Sequence, residues 1–171
     1  MDFEKKLRSY MQQYSDAPGD VILVTRLLVR SAQMLENRIN AALEQQGMQI
    51  QEYLAMMVIK FEDGPIRPTE LSESLGISRP QITRLLDSLE QRGLITRQHS
   101  KTDRRALILS LSTKGNNQLK AAAPVVHRAY LDCWKHNTKS VAPMLDGLRN
   151  LYTGLAGIDQ EQSGKLEKIE R

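Results

Sequence analysis

Apolar side chains repeat with the period of an α-helix between residues 78 and 93. Four of them follow the spacing i, i+3, i+4, i+7, which places them along one buried stripe: Ile82, Leu85, Leu86 and Leu89. Ser78 and Gln81 form an S-x-x-Q capping box, and Gly93 can take the left-handed conformation that ends a helix. The pattern predicts an amphipathic helix with one polar side left for solvent or a partner.

The segment before this helix has the pattern of a second, shorter helix. Thr69 can cap it, and Leu71 and Leu75 lie on one side of it. Gly76 can take the positive φ that a tight turn into the next helix requires. Two helices joined in this way predict a helix-turn-helix, although the same arrangement also occurs as a plain αα-corner.

The hydrophobic period changes from 3.6 to 2 after Gly93. Residues 94–99 and 106–112 are predicted strands, and the polar run 100–105 connects them. In the second strand, Leu107, Leu109 and Leu111 lie on one face and alternate with Ile108 and Ser110 on the other. A hairpin directly behind a helix-turn-helix is a wing, so the expected fold is mainly α with a small β-hairpin wing.

Helical patterns on both sides of the winged segment predict a second lobe. Residues 21–43 and 52–61 carry apolar helical patterns, residues 113–136 predict a long helix kinked near Pro124, and residues 141–155 carry a further apolar stripe. A winged segment of about 45 residues is too small to bury a sound core alone, so these flanks must help. Their apolar faces indicate pairing between two subunits, or packing within one chain.

The expected organisation is a single domain over residues 1–171. It comprises a winged helix-turn-helix lobe at 66–112, a helical dimerisation lobe made of 1–60 and 113–156, and a polar tail at 157–171.

Positive charge is concentrated in the winged segment. Residues 76–105 hold seven Lys or Arg against three Asp or Glu, while the whole chain has a net charge of +4, so the other 141 residues sum to zero. A concentrated basic segment is typical of a surface that binds phosphates, although a chance cluster of solvated charges has the same composition. Double-stranded DNA is the partner that the charge and the motif predict together.

Residues near the start of the longer helix, opposite its apolar stripe, are the candidate DNA contacts, because a recognition helix enters the major groove by its N-terminal residues. They are Ser78, Arg79, Pro80, Gln81, Thr83 and Arg84, with Asp87 on the same polar side. At the wing, Asp103 could orient Arg105 toward the minor groove through a bidentate pair, with Arg104 beside it. The alternative for this run is an ordinary turn with solvated charges.

Residues 71–76, 78–95 and 103–115 resemble the MarR family of bacterial transcription regulators, most clearly in the wing run from Asp103-Arg104-Arg105 to Ser112-Thr113-Lys114-Gly115. Thr-Arg-Leu at 25–27 and Leu-Glu-Asn-Arg at 35–38 are most similar to the multidrug-efflux-repressor branch, the EmrR/MprA type. The resemblance implies a homodimer, a palindromic operator, and release of DNA when a small aromatic or phenolic molecule binds between the two lobes.

Five side chains could line a crevice for such an effector, since they offer cationic, aromatic and soft apolar contacts to an anionic aromatic molecule. They are Arg26, Arg30, Tyr53, Met57 and His127. Each has an ordinary alternative, because Met and Tyr at helical spacing usually belong to a core and paired Arg is usually solvated. The family resemblance supports the region rather than these particular side chains.

Other chemistries have no support in the sequence. The single cysteine, Cys133, fits an inert thiol in a reducing cytoplasm, and the three histidines lack zinc-ligand spacing. No catalytic motif, signal peptide or membrane-spanning run is found, so we expect no cofactor, no enzyme activity and no membrane partner. The predicted function is a cytoplasmic, ligand-responsive repressor; the alternative is a winged-helix interaction or architectural module without an operator.

Overall fold

The computed structural model describes residues 2–14, 16–62, 66–99 and 107–169. The helices are α1 (Asp2–Gln13), α2 (Gly19–Leu43), α3 (Ile50–Phe61), α4 (Pro68–Leu75), α5 (Arg79–Gln91), α6 (Thr113–Trp134) and α7 (Val141–Ile169). The strands are β1 (Ile95–His99) and β2 (Leu107–Leu111), and short 3-10 helices lie at Glu44–Gln46 and Thr138–Ser140. The chain divides into two compact units, Met1–Tyr130 and Leu131–Arg171.

Helix α5 confirms the amphipathic helix that the sequence predicts. Three residues of the stripe are buried and Leu85 is half-buried: Ile82, Leu86 and Leu89. The Ser78 backbone N–H donates to Gln81 Oε1 at 3.0 Å, as the capping box requires. Gly93 has φ 67°, so it ends the helix in the left-handed conformation.

Helix α4 begins one residue before the predicted cap. Thr69 was expected to cap it, and that expectation is wrong: the helix starts at Pro68 and its cap is Arg67. Pro68 suits a first helical position because its ring fixes φ, and Glu70 Oε2 accepts the Arg67 backbone N–H at 2.8 Å. The tight turn after α4 is confirmed, since Gly76 has φ 63°.

The predicted hairpin is confirmed as an antiparallel pair. Strand β1 pairs with β2 in a register that sets Ile95 opposite Leu111 and Arg97 opposite Leu109. Ile95 and Leu109 are buried, whereas Ser110 is exposed. The sheet therefore packs one face on the core of the first unit and leaves the other face outside.

The core of the first unit is continuous from α2 to α6. Buried apolar residues from α2, α3, α4, α5, the hairpin and α6 form one cluster, whose largest fully buried members are Leu43, Met56, Leu71, Ile82, Leu86, Leu89, Leu94, Ile95 and Val126. The winged segment is thus stabilised by its flanking helices, as its small size requires.

The second unit contains helix α7, which extends beyond the predicted stripe. The sequence predicts that the polar residues from 157 form a frayed tail or a short surface helix, and α7 continues through Gly157 to Ile169. Its apolar stripe is exposed and consists of Val141, Met144, Leu145, Leu148, Leu151, Tyr152 and Leu155. Over the described ranges, no helix combines the length and the apolar character that crossing a membrane requires.

Helix α1 is an element that the sequence analysis missed. A signal was present, because five apolar or aromatic positions recur at helical spacing: Phe3, Leu7, Tyr10, Met11 and Tyr14. The rings of Tyr10 and Tyr14 lie 4.7 Å apart between centroids. Leu7 is the buried member of the set.

Candidate nucleic-acid interface

The N-terminal half of helix α5 is an exposed polar surface. All six of the predicted contacts on this helix are exposed: Ser78, Arg79, Pro80, Gln81, Thr83 and Arg84. Thr83 Oγ1 donates to the Arg79 carbonyl oxygen at 3.0 Å, which ties its hydroxyl to the preceding turn. The structure thus brings these six side chains together at one end of one helix, with the apolar stripe of the same helix turned into the core.

The capping box occupies one group of Gln81. Its Oε1 accepts hydrogen bonds from the Ser78 backbone N–H at 3.0 Å and from the Ser78 hydroxyl at 2.7 Å. With the oxygen used in this way, the NH₂ group is the end of the Gln81 side chain that can donate to a partner.

Part of the positive charge of the winged segment is used inside the protein. Arg92 Nη1 contacts Glu52 Oε1 at 2.8 Å, and Arg97 Nη2 contacts Asp87 Oδ1 at 2.6 Å. Both arginines belong to the basic segment that predicts a phosphate-binding surface, and each forms an ion pair within the protein. Glu52 lies outside this segment and Asp87 lies within it, so charge counting alone could not separate these two arginines from Arg79 and Arg84.

Arg97 joins strand β1 to helix α5. Its Nη2 donates to Asp87 Oδ1, and its Nε lies 3.1 Å from Glu90 Oε2 without hydrogen-bond geometry. Asp87, which the sequence places on the side that would face the groove, is exposed and accepts the guanidinium of Arg97 on strand β1. Two carboxylates of α5 therefore hold the first strand of the hairpin against the helix.

The last turn of helix α5 is also fixed to the start of α6. Lys114 Nζ donates to the Arg92 carbonyl oxygen at 2.8 Å, which satisfies a group that the helix end leaves unpaired. Ser112 Oγ donates to the Gly93 carbonyl oxygen at 2.7 Å. The C-terminal end of α5 is therefore held by neighbouring elements, while its N-terminal end is exposed.

The predicted wing contacts lie outside the described residues. Asp103, Arg104 and Arg105 fall between β1 and β2 in the sequence, within the range 100–106. Their assignment to DNA binding stays a prediction.

Two of the predicted effector residues have identified contacts. The Arg26 guanidinium lies over the Phe3 ring, 5.4 Å from its centroid, as in a cation–π pair. Tyr53 is buried, and this burial, with a smaller electrostatic contribution from Tyr130, raises the pKa of its phenol above the ordinary value. Its side chain is thus part of the core.

The other three predicted effector residues differ in exposure. Arg30 and His127 are exposed, and Met57 is half-buried against the core. A separate cavity of about 690 Å³ lies at the α2–α3 junction, the segment Glu44–Gln49, and includes none of the five. It is lined by Asn40, Ala41, Glu44, Gly47, Met48, Gln49, Glu52, Ser88 and Arg92. In the part of the chain that the structure describes, no three His, Cys, Asp or Glu side chains are grouped as metal ligands.

The arrangement from α4 to β2 defines a class of protein. A short helix, a glycine turn, a second helix with an exposed polar N-terminal half and an antiparallel hairpin directly behind it constitute a winged helix-turn-helix. The sequence profile of the MarR family matches residues 46–106, which include α4, α5 and β1. The transcriptional repressor MprA of Escherichia coli (strain K12) is 34% identical over 161 residues, covering 92% of this chain and 91% of MprA. The chain belongs to the MarR family.

Solved structures share the same fold. A mutant of MarR from Escherichia coli, in complex with operator DNA, superposes with a TM-score of 0.71 at 22% identity and covers 80% of this chain and 98% of its own. A MarR family protein from Mycobacterium tuberculosis, in complex with p-aminosalicylic acid, gives a TM-score of 0.57 at 22% identity, with coverages of 77% and 97%. At these identities the likeness establishes the fold.

Proposed function

We propose that the protein is a cytoplasmic, sequence-specific transcriptional repressor that binds a palindromic operator as a homodimer and is released by a small aromatic or phenolic ligand. The observation that carries the proposal is the exposed N-terminal half of helix α5, where Arg79, Thr83 and Arg84 lie together. The relationship to MprA, a repressor by name, favours repression over activation.

The geometry of α5 suits a major groove. Its apolar stripe faces the core, so its polar side is the one that can approach DNA. The N-terminal turn of the helix would enter the groove first. Arginine can donate two hydrogen bonds to a guanine edge or pair with a phosphate, and Gln81 and Thr83 can reach bases or sugar-phosphate oxygens. Arg105, between β1 and β2, is our proposed minor-groove contact.

Dimerisation is supported by the exposed apolar stripe of helix α7. Seven large side chains along one side of this helix are between 39% and 74% exposed, which is costly in water unless another surface covers them. A second copy of the chain would cover them symmetrically. A two-fold dimer carries two recognition helices, and such a dimer reads an inverted repeat.

The proposed effector is a small anionic aromatic molecule. The neighbouring structure from Mycobacterium tuberculosis holds p-aminosalicylic acid, which has this chemistry. For this chain we propose the region of Arg26, Arg30, Tyr53, Met57 and His127, where cationic and aromatic groups occur on α2, α3 and α6. Addition of p-aminosalicylic acid should then lower the affinity of the protein for the operator.

The test begins with selection of binding sequences from a randomised duplex library by the purified protein. Fluorescence anisotropy then compares the enriched duplex with a scrambled duplex of equal length at one fixed salt concentration. The proposal predicts tight binding to the enriched duplex only, weakened by Arg105→Ala. Equal, weak binding to both duplexes would contradict operator recognition and would favour an interaction or architectural module.

A further inference from the structure

One arginine attaches the C-terminal end of helix α5 to the α2–α3 junction. The Arg92 guanidinium donates through Nη1 to Glu52 Oε1 at 2.8 Å and through Nη2 to the Gly47 carbonyl oxygen at 2.7 Å. Because the guanidinium is planar, two donors on two separate acceptors fix its orientation as well as its distance.

Both acceptors are held by their own surroundings. The Glu52 side chain is only 14% exposed, and its other oxygen accepts the Gln49 backbone N–H at 3.1 Å, so the carboxylate also caps helix α3. The Gly47 carbonyl belongs to a residue with φ 58°, a conformation that other residues rarely adopt. The junction therefore offers two acceptors whose positions are set by the cap of helix α3 and by the left-handed turn at Gly47.

The attachment point and the polar DNA-facing end lie at opposite ends of α5. Arg79 and Arg92 are thirteen residues apart, which corresponds to about 20 Å along a helix axis. A rotation of about 5° about the C-terminal end would move the N-terminal end by about 2 Å, more than the roughly 0.5 Å tolerance of a binding site. The orientation of α5 at Arg92 therefore controls whether side chains at its other end meet the bases.

We infer that Arg92 is a positioning residue for DNA recognition, which acts by holding helix α5 against Glu52 and Gly47 without touching DNA. The inference rests on the proposed function, because it requires that α5 reads an operator. Arg92 is 35% exposed and borders the solvent-open cavity at the α2–α3 junction, so its ion pair is partly screened. Loss of a screened pair costs little stability, and variants at this position should fold.

The experiment measures the affinity of Arg92→Gln for the enriched duplex and for the scrambled duplex at several salt concentrations. Arg128→Gln is the matched control, because it removes the same charge from an exposed position on α6. We expect Arg92→Gln to weaken binding to the enriched duplex by about three- to tenfold. Its affinity for the scrambled duplex should change no more than that of Arg128→Gln.

Two further variants separate positioning from other roles. Arg92→Lys keeps the charge but loses the two-point contact, so its affinity should lie between those of the wild type and Arg92→Gln. Glu52→Gln combined with Arg92→Gln should lose less than the sum of the two single losses, because both remove the same interaction. For Arg92→Gln, the plot of log K against log salt concentration should keep the wild-type slope. Each phosphate contact contributes about 0.9 to that slope, and Arg92 makes none in this account.

Several results would overturn the inference. A salt slope reduced by about one unit in Arg92→Gln would make Arg92 a phosphate contact. A lower melting temperature with wild-type affinity would make it a stabilising residue only, because a folded majority would still bind normally. Selective wild-type binding that Arg92→Gln leaves intact overturns the inference alone, whereas a wild type that binds both duplexes equally overturns the proposed function and the inference with it.

Discussion

Gly115 lies where the start of helix α6 approaches the backbone just before strand β1. A β-carbon at this position would lie 1.9 Å from the Leu94 carbonyl oxygen, which itself accepts the Ser112 backbone N–H at 3.0 Å. Backbone must therefore move to admit a methyl group. We expect Gly115→Ala to lower the free energy of unfolding by about 1–3 kcal/mol, measured by urea denaturation.

The control for this substitution is Gly154→Ala in helix α7. Apart from its chain neighbours and the local helix backbone, no atom lies within 4 Å of a β-carbon built at Gly154. The added methyl group should leave the free energy of unfolding unchanged or raise it by up to about 1 kcal/mol, because alanine is the better helix former. Wild-type stability in Gly115→Ala would mean that α6 does not approach Leu94 this closely.

Tyr53 makes the stability of the fold depend on pH in the alkaline range. Its burial raises the pKa of the folded phenol above the unfolded value of about 10. The folded state therefore holds the proton more tightly than the unfolded state does. The free energy of unfolding is unaffected below about pH 10 and falls as the pH rises above it. Urea denaturation at pH 8 and at pH 10.5 should show a larger loss for the wild type than for Tyr53→Phe. Equal losses would contradict the burial of a neutral phenol here.

In the proposed function helix α5 reads the operator, and a substitution of Arg84 tests this role. Arg84→Ala should weaken binding to the enriched duplex by about 1–3 kcal/mol and relax the preference at one base pair, if the side chain reads a base. The measurement is anisotropy on a set of duplexes that each change one base pair. A loss that is uniform over all of them would assign Arg84 to a phosphate, and wild-type binding would remove it from the interface.

Local signals made much of the element pattern predictable. Gly76 and Gly93 end their helices as expected, because a glycine directly after a helical pattern by itself indicates a positive φ. The Ser78–Gln81 capping box is equally local. The cap of α4 was misjudged because two local signals competed, and Pro68 with Glu70 prevailed over Thr69.

Contacts between elements were not predictable from the sequence. Glu52 and Arg92 are forty residues apart, and Asp87 meets Arg97 only because strand β1 folds back along α5. No periodicity identifies such partners, since charged residues at these positions have the same local pattern as solvated ones. For this reason the net charge of the basic segment does not show that Arg92 and Arg97 form ion pairs with Glu52 and Asp87.

Oligomeric state belongs to the scale of the whole molecule, and the stripe of helix α7 determines the prediction. Leu148→Glu places a charge on the stripe and should convert a dimer to monomer at micromolar concentration, as measured by sedimentation velocity. Asn150→Glu, on the other side of the same helix, adds the same charge and should leave the dimer intact. A wild type that sediments as a monomer would contradict dimerisation through this surface.

The central claim is that two copies of helix α5 read an inverted repeat in DNA. Hydroxyl-radical footprinting of the wild type on the enriched duplex tests it most directly. We predict two protected segments related by two-fold symmetry, with centres about 10 base pairs apart or a multiple of that distance, and no protection of a scrambled duplex. Uniform protection of both duplexes would contradict the claim.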